Sequence, residues 1–180
     1  MATRKKTAFL PAGAEQFLRA KWLEACGLGL IAVAVALLAA LASYHPTDPS
    51  LNTATGSATR NLLGYLGAHI SDIVLQTLGL SGVLLAPVAV GWGWRLWKEH
   101  TLQHPWLRLA LLPIGLLSAA IALATLRTPE IWPLAAGLGG YAGAWALHSL
   151  VAAGQNAGIA AEIAIIGLVS GVISAAIFLY

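Results

Sequence analysis

The chain has 180 residues, of which 58% are hydrophobic and only 9% are charged, and its mean hydropathy is +0.77. Ordinary soluble domains carry about 25% charged residues, so this composition excludes a conventional soluble enzyme and indicates a membrane protein. A single cysteine excludes a disulfide framework. The formal net charge of +3 is explained below by membrane topology, so it does not indicate a nucleic-acid-binding surface.

Four stretches are apolar enough to cross a bilayer, which requires about 20 mostly apolar residues. A basic tail of residues 1–24 precedes them, and we place the spans at approximately 25–44, 73–94, 109–126 and 158–180. The stretch 131–158 is weakened as a span by its many glycines and by Gln155 and Asn156, so we interpret it as a surface helix or a re-entrant segment. A fifth span in this stretch is the alternative.

The basic residues predict the orientation of the spans. Eight of the ten Lys and Arg residues fall in the tail or in the loop after the second span, and only Arg60 and Arg127 fall in the other loops. Short cytoplasmic loops carry the excess of Lys and Arg. The N-terminus, the middle loop and the C-terminus are therefore predicted to be cytoplasmic.

An internal repeat is visible in the two halves of the chain. Gly64-Tyr65-Leu66-Gly67-Ala68 recurs as Gly140-Tyr141-Ala142-Gly143-Ala144, and Gly82 matches Gly158 at the same offset of 76 residues. Each copy follows a predicted outer loop and precedes an inward-running span, and we expect Gly79 to mark the bend into the bilayer. The sequence thus predicts an all-α integral membrane fold with four spans in two tandem parallel repeats and amphipathic segments on the outer surface.

Few residues indicate catalytic chemistry. No lysine follows a glycine as a phosphate-binding P-loop requires, and His45, Asp48 and Ser50 lie too close together in a proline-bracketed turn to form a hydrolytic triad. Glu162 is a possible intramembrane polar site, because ionisable residues in spans are often functional. Near the start of the fourth span, however, its carboxylate can also reach the interface.

The turn after the first span carries the clearest motif. Tyr44-His45-Pro46-Thr47-Asp48-Pro49-Ser50-Leu51-Asn52 resembles a segment of the N-terminal four-helix membrane domain of the FtsK/SpoIIIE DNA translocases. The following Gly64, Gly67-Ala68, Asp72 and Gly79 are similar to the outer-loop motif of that family. The resemblance is detailed through the first two spans, and the four-span layout extends it to the whole chain.

The resemblance implies a bacterial inner-membrane protein of the division septum. In that family the membrane domain anchors a hexameric motor that uses ATP and Mg²⁺ to pump DNA. The motor is expected to be absent from this chain, so ATPase activity and DNA contact would belong to the missing part. For this chain we expect no cofactor and no metal, and we expect the bilayer, other division proteins and further copies of itself as partners.

The function predicted from the sequence is therefore a non-catalytic membrane anchor and septal assembly module. The residues proposed to form its partner-docking outer motif are Tyr44, Pro46, Asp48, Pro49, Ser50, Asn52, Gly64, Gly67 and Asp72. The alternative is a small multi-span transporter or channel, for which the repeat and Glu162 are the grounds. A periplasm-facing hydrolase is disfavoured because no credible nucleophile–base pair is present.

Overall fold

The computed structural model describes residues 13–51, 53, 56, 58–156 and 162–179 of the chain. All regular secondary structure in this part is helical, and no β-strand is present there, which confirms the predicted all-helical class. The α-helices are α1 Ala14–Ala42, α2 Gly64–Leu78, α3 Leu85–Glu99, α4 Pro105–Ala124, α5 Gly140–Asn156 and α6 Ile163–Leu179. A 3-10 helix, Gly79–Leu84, joins α2 to α3.

Three helical stretches among the described residues are long and apolar enough to cross a membrane. They are Ala14–Ala42, the continuous stretch Gly64–Glu99 and Pro105–Ala124, with mean hydropathies of 2.6, 2.0 and 2.1 in their most apolar windows. A shorter apolar helical stretch, Ile165–Phe178, lies within α6. The helices therefore support a multi-pass membrane protein.

The N-terminal helix is longer than the first predicted span. Helix α1 begins at Ala14, inside the predicted tail 1–24, and ends at Ala42, so Tyr44 lies in the following turn. Hydropathy marks the residues that suit lipid, whereas a helix ends where its backbone hydrogen bonding ends. Polar helix formers such as Glu15 and Gln16 continue the helix where the apolar pattern has stopped.

The bounds of the later helices also differ from the predicted spans. Helix α2 runs through the predicted start at residue 73 and ends at Leu78, and the 3-10 helix begins at Gly79, where we expect the bend into the bilayer. The stretch 131–158 contains α5, so most of its described residues are helical. Helix α6 begins at Ile163 rather than at residue 158, and residues 157–161, with Gly158, lie outside the described residues.

The distribution of side chains suits a lipid environment. The buried apolar positions are dominated by alanine, and the two largest fully buried side chains belong to Ser71 and Ser81. Large apolar side chains such as Val33, Val35 and Leu168 are exposed. Membrane helices associate through small residues because lipid already solvates the large apolar ones. The core of this protein therefore forms by close backbone approach.

Helices α1 and α3 form the first packed pair. A Cβ atom added to Gly27 would lie 2.5 Å from the carbonyl oxygen of Gly93, and one added to Gly93 would lie 2.6 Å from that of Gly27. The two backbones thus meet where neither residue has a side chain. At the end of this pair, the Glu24 carboxylate lies 3.0 Å from Nε2 of His100, which links α1 to the residue after α3.

Helices α4 and α6 form the second pair, and α5 packs on α4. A Cβ atom on Gly167 would collide with the side chain of Thr125, and one on Gly143 would collide with the Ala120 carbonyl group. Both pairs thus use glycine at their closest approaches. The small residues of α6 face a neighbour within the same chain.

The two halves of the chain meet at Gly79 and Gly140. Both residues have positive φ, 62° and 65° respectively, which glycine adopts without steric cost. A Cβ atom on Gly140 would lie 2.5 Å from the backbone nitrogen of Gly79, and the N–H of Leu80 donates to the carbonyl oxygen of Leu138 at 2.9 Å. Residues of the loop that follows α1 and of the loop that follows α4 line the same cleft.

Candidate partner-docking site

The carboxylate of Asp48 organises the long loop after α1. Its Oδ1 accepts the backbone N–H of Arg60 and its Oδ2 accepts the backbone N–H of Asn61, each at 2.9 Å. Only 4% of Asp48 is exposed. A buried carboxylate is costly without partners, and these two charge-assisted bonds supply them. Asp48 therefore closes the loop on itself and is not an accessible contact surface.

Asn61 connects this loop to helices α1 and α2. Its side-chain nitrogen donates to the carbonyl oxygen of Ala40 at 2.8 Å, and its backbone oxygen accepts the N–H of Gly64 at 2.9 Å. A Cβ atom on Gly67 would collide with Oδ1 of Asn61, so Gly67 makes room for this side chain. The first two glycines of the repeated motif in this half thus serve the loop geometry.

Tyr44 and Asp72 tie the turn after α1 to helix α2. The Tyr44 hydroxyl donates to Oδ1 of Asp72 at 3.2 Å, and Nε2 of Gln76 donates to the same oxygen at 2.7 Å. Burial raises the pKa of the Tyr44 phenol to about 12, with further contributions from the charge and hydrogen bond of Asp72 and the charge of Asp48. The phenol therefore remains a hydrogen-bond donor throughout the physiological range.

A cleft opens between the loops of the two halves, and we call it the inter-loop cleft. Its volume is about 190 Å³. The lining residues are Tyr44, Pro46, Thr53, Gln76, Pro133, Leu134, Ala135, Ala136 and Tyr141. Two prolines and two tyrosines are among these nine residues, and aromatic surfaces with a polar edge are favoured where proteins contact one another.

Helices α2 and α5, which contribute Gln76 and Tyr141 to the inter-loop cleft, also carry exposed apolar side chains. On α2 the exposed residues Leu62, Leu66, Ile70 and Ile73 follow helical spacing from just before its first turn, and Tyr65 is 60% exposed. On α5, Tyr141 and Trp145 are 57% and 73% exposed. Such apolar faces suit either the membrane interface or a partner protein.

The remaining predicted motif residues divide by exposure. Pro46 is exposed and lines the cleft, whereas Pro49 and Ser50 are half-buried. The Ser50 hydroxyl oxygen is buried without a hydrogen-bond partner among the described residues, and its backbone N–H donates to the Thr53 carbonyl oxygen at 3.0 Å. Asn52 lies outside the described residues.

Glu162 is exposed and lies one residue before α6. Its carbonyl oxygen accepts the N–H groups of Ile165 and Ile166 at 2.9 and 3.2 Å, so it caps the start of that helix. A negative side chain is favourable at a helix N-terminus.

The arrangement provides hydrogen bonding and shape. Among the described residues, no group of three or more His, Cys, Asp or Glu side chains could hold a metal ion. The site is a loop that internal hydrogen bonds of Tyr44, Asp48 and Asn61 hold beside the inter-loop cleft, and we call this loop the loop platform.

Three residues of the site, Asn61, Gln76 and Tyr141, were not among the predicted docking residues. Asn61 bonds to Ala40, which is distant in the sequence, and Gln76 bonds to Asp72 on the same face of α2. No local sequence pattern identifies either residue. Tyr141 belongs to the repeated motif, and its equivalence to Tyr65 is the sequence feature that could have identified it as a site residue. The cleft itself arises from the meeting of two loops, which no motif encodes.

The chain is similar to the membrane region of a bacterial motor protein. A sequence model described as the 4TM region of DNA translocase FtsK/SpoIIIE matches residues 19–179. The DNA translocase FtsK of Azospirillum brasilense is 36% identical over 141 residues, which cover 77% of this chain and 22% of that protein. The DNA translocase FtsK of Caulobacter vibrioides is 41% identical over 124 residues, which cover 67% of this chain and 15% of that protein.

The match extends over only part of these relatives. The chain spans about a fifth or less of the length of the curated relatives it matches, as the 16% coverage of the Bradyrhizobium diazoefficiens DNA translocase FtsK also illustrates. No solved structure matches the chain.

Proposed function

Because the chain belongs to the family described as the 4TM region of the DNA translocase FtsK/SpoIIIE, we propose that it anchors a DNA translocase at the division septum and contacts other division proteins there. The matched region is the membrane region and not the motor, so no enzymatic activity is expected of this chain. It is a multi-pass inner-membrane region of a cell-division protein.

The observation that carries the docking proposal is the rigid construction of the loop platform. Asp48, Asn61 and Tyr44 fix the loop from inside, while Pro46 and Tyr141 remain on the lining of the inter-loop cleft. A surface that is ordered before binding loses less conformational entropy when a partner arrives. The buried acids of the motif thus support the platform, and its exposed residues make the contacts.

The proposed topology has four spans in two tandem units. The two copies of the GYxGA motif occupy the first turns of α2 and α5, and α1 pairs with α3 as α4 pairs with α6. The charge distribution supports cytoplasmic termini, with the inter-loop cleft on the periplasmic side.

The activity of the whole protein is proposed from its relatives. The part that lies outside the matched region would use ATP and Mg²⁺ to move DNA, and a hexameric assembly of that part would bring copies of this anchor together. Contact with DNA would then occur only through the motor.

Site-specific photocrosslinking in dividing cells tests the docking proposal. A photoreactive residue at Tyr141, in the cleft, should form an adduct with a protein that mass spectrometry identifies as a component of the division machinery. Trp106 is a matched control, because it is an exposed aromatic residue at the start of α4. The proposal fails if Tyr141 forms no such adduct or if Trp106 forms the same one.

A further inference from the structure

A second cavity lies between α3, α4 and the end of α6, beside the loop 100–104. Its volume is about 250 Å³. Helices α3 and α4 are consecutive in the chain, yet each packs chiefly on a different partner, α1 and α6 respectively. The cavity therefore lies between the two helix pairs.

One face of α3 forms the long wall of this cavity. The lining residues from this side are Leu84, Pro87, Val88, Gly91, Trp92 and Arg95. Their spacing of three and four residues defines a single helical face, and at ~1.5 Å per residue it extends roughly 15 Å along the helix. The wall is apolar from its far end to Trp92 and becomes cationic only at Arg95.

Two arginines mark the end of the cavity nearest the loop 100–104. Arg95 lies near the end of α3 and Arg108 lies in the first turn of α4. Nε of Arg108 donates to the carbonyl oxygen of Gln103 at 3.1 Å, which orients this guanidinium group. Among the residues that the structure describes, none that lines the cavity is acidic, and Arg95 forms no ion pair, even with Glu99 one turn along the same helix.

We propose that this cavity binds one anionic phospholipid of the adjacent leaflet. The phosphate group lies against the guanidinium groups of Arg95 and Arg108, and an acyl chain follows the apolar face of α3 towards the membrane centre. Guanidinium groups bind phosphate strongly through charge-assisted hydrogen bonds, and basic pockets between membrane helices accept anionic headgroups. Trp92 lies between the charged and apolar parts, as tryptophan does at membrane interfaces.

The apolar wall is the reason to favour a lipid over free phosphate. A phosphate ion would contact the two arginines but would leave the surface from Leu84 to Gly91 without an occupant. A phospholipid matches both the cationic end and the apolar length. The lipid would thereby fill the space between the α1–α3 pair and the α4–α6 pair, independently of any protein docked at the inter-loop cleft.

Native mass spectrometry of the full chain in detergent tests the charge contribution. The chain should retain phosphatidylglycerol in preference to phosphatidylcholine with the same acyl chains. Arg95→Gln should weaken the retention of phosphatidylglycerol about tenfold, which is the order expected for the loss of one charge-assisted hydrogen bond. Arg19→Gln, which removes the same charge from an exposed position on α1, should leave retention unchanged. Inorganic phosphate should not displace the lipid.

A steric variant tests the position of the acyl chain without changing charge. A Cβ atom on Gly91 meets no atom within 4 Å, so Gly91→Leu should extend into the cavity and reduce retention of phosphatidylglycerol. Gly29→Leu is the matched control, because Gly29 is equally unobstructed and lies on α1 outside the cavity. The proposal would be overturned if the chain retained the two lipids equally or if phosphate displaced the lipid. It would also be overturned if Arg95→Gln or Gly91→Leu retained as much phosphatidylglycerol as the unsubstituted chain, or if either control variant lost as much as its test variant.

Discussion

The hydroxyl group of Tyr44 donates a hydrogen bond to Oδ1 of Asp72, 28 residues further along the chain and 3.2 Å away. This bond joins the turn after α1 to the middle of α2. Asp72 is only 2% exposed, so it acts inside the protein as an acceptor. The buried carboxylates of Asp48 and Asp72 therefore hold the loop in position, and the docking surface that we propose consists of their exposed neighbours.

Replacement of Asp48 by Asn should destabilise the loop. An amide offers one acceptor oxygen, so one of the two N–H groups, of Arg60 or Asn61, would face an NH₂ group instead of an oxygen. A buried donor without an acceptor costs about 1–3 kcal/mol, and we expect a lower thermal unfolding temperature in detergent. Glu130→Gln, at an exposed position, should leave that temperature unchanged. Equal temperatures for Asp48→Asn and the unsubstituted chain would contradict the proposed role of Asp48.

The raised pKa of Tyr44 predicts a late titration step. In a phenolate absorbance titration, the difference between the unsubstituted chain and Tyr44→Phe should show a midpoint of about 12, above the ordinary tyrosine value of about 10. Asp72→Asn should lower this midpoint, while burial keeps part of the increase. A difference curve centred near 10 would show that Tyr44 is not enclosed as described.

The same shift has a defined effect on stability. Because the folded state holds the Tyr44 proton more tightly, this contribution is complete below about pH 10 and decreases as the pH rises through about 12. Unfolding measured across this range should therefore show a smaller decline in Tyr44→Phe than in the unsubstituted chain.

Replacement by alanine should affect the stability of the protein differently at two glycines of α1. Gly27→Ala places its Cβ atom against the Gly93 carbonyl oxygen, and overpacking of this kind costs about 1–3 kcal/mol. Gly29→Ala meets no atom within 4 Å and should be neutral or stabilising by up to about 1 kcal/mol. Denaturation of the two variants, followed by helical circular dichroism, measures the difference. Equal stabilities would rule out the close α1–α3 contact.

Cysteine labelling tests the proposed orientation. With Cys26 replaced by Ala, single cysteines at Ala58 and Gln103 occupy exposed positions in different loops. An impermeant maleimide applied to spheroplasts should label Ala58→Cys and should label Gln103→Cys only after lysis. Labelling of both before lysis, or of Gln103→Cys alone, would reject the orientation.

The sequence predicted the features that depend on local composition. The apolar stretches, the break at Gly79 and the paired motifs at Gly64 and Gly140 all depend on residues close together in the chain. Their agreement with the helices reflects the strength of hydropathy and glycine as local signals.

The burial of Asp48 and Asp72 was not predictable in the same way. The motif indicated that these residues mattered, but exposure depends on partners such as Asn61 and Tyr44 that only the fold brings near. A carboxylate in a loop is usually exposed, so the sequence favoured a surface role. The structure instead buries both carboxylates and leaves Pro46 and Tyr141 exposed.

The most direct test of the central claim is the localisation of a fluorescent fusion of this chain in dividing cells. We expect the unsubstituted fusion to form a band at the septum. Tyr141→Ala should remain in the membrane but lose most of that band, and Trp106→Ala should retain it. A fusion spread evenly around the membrane, or a Tyr141→Ala band as strong as the unsubstituted one, would contradict septal docking through the inter-loop cleft.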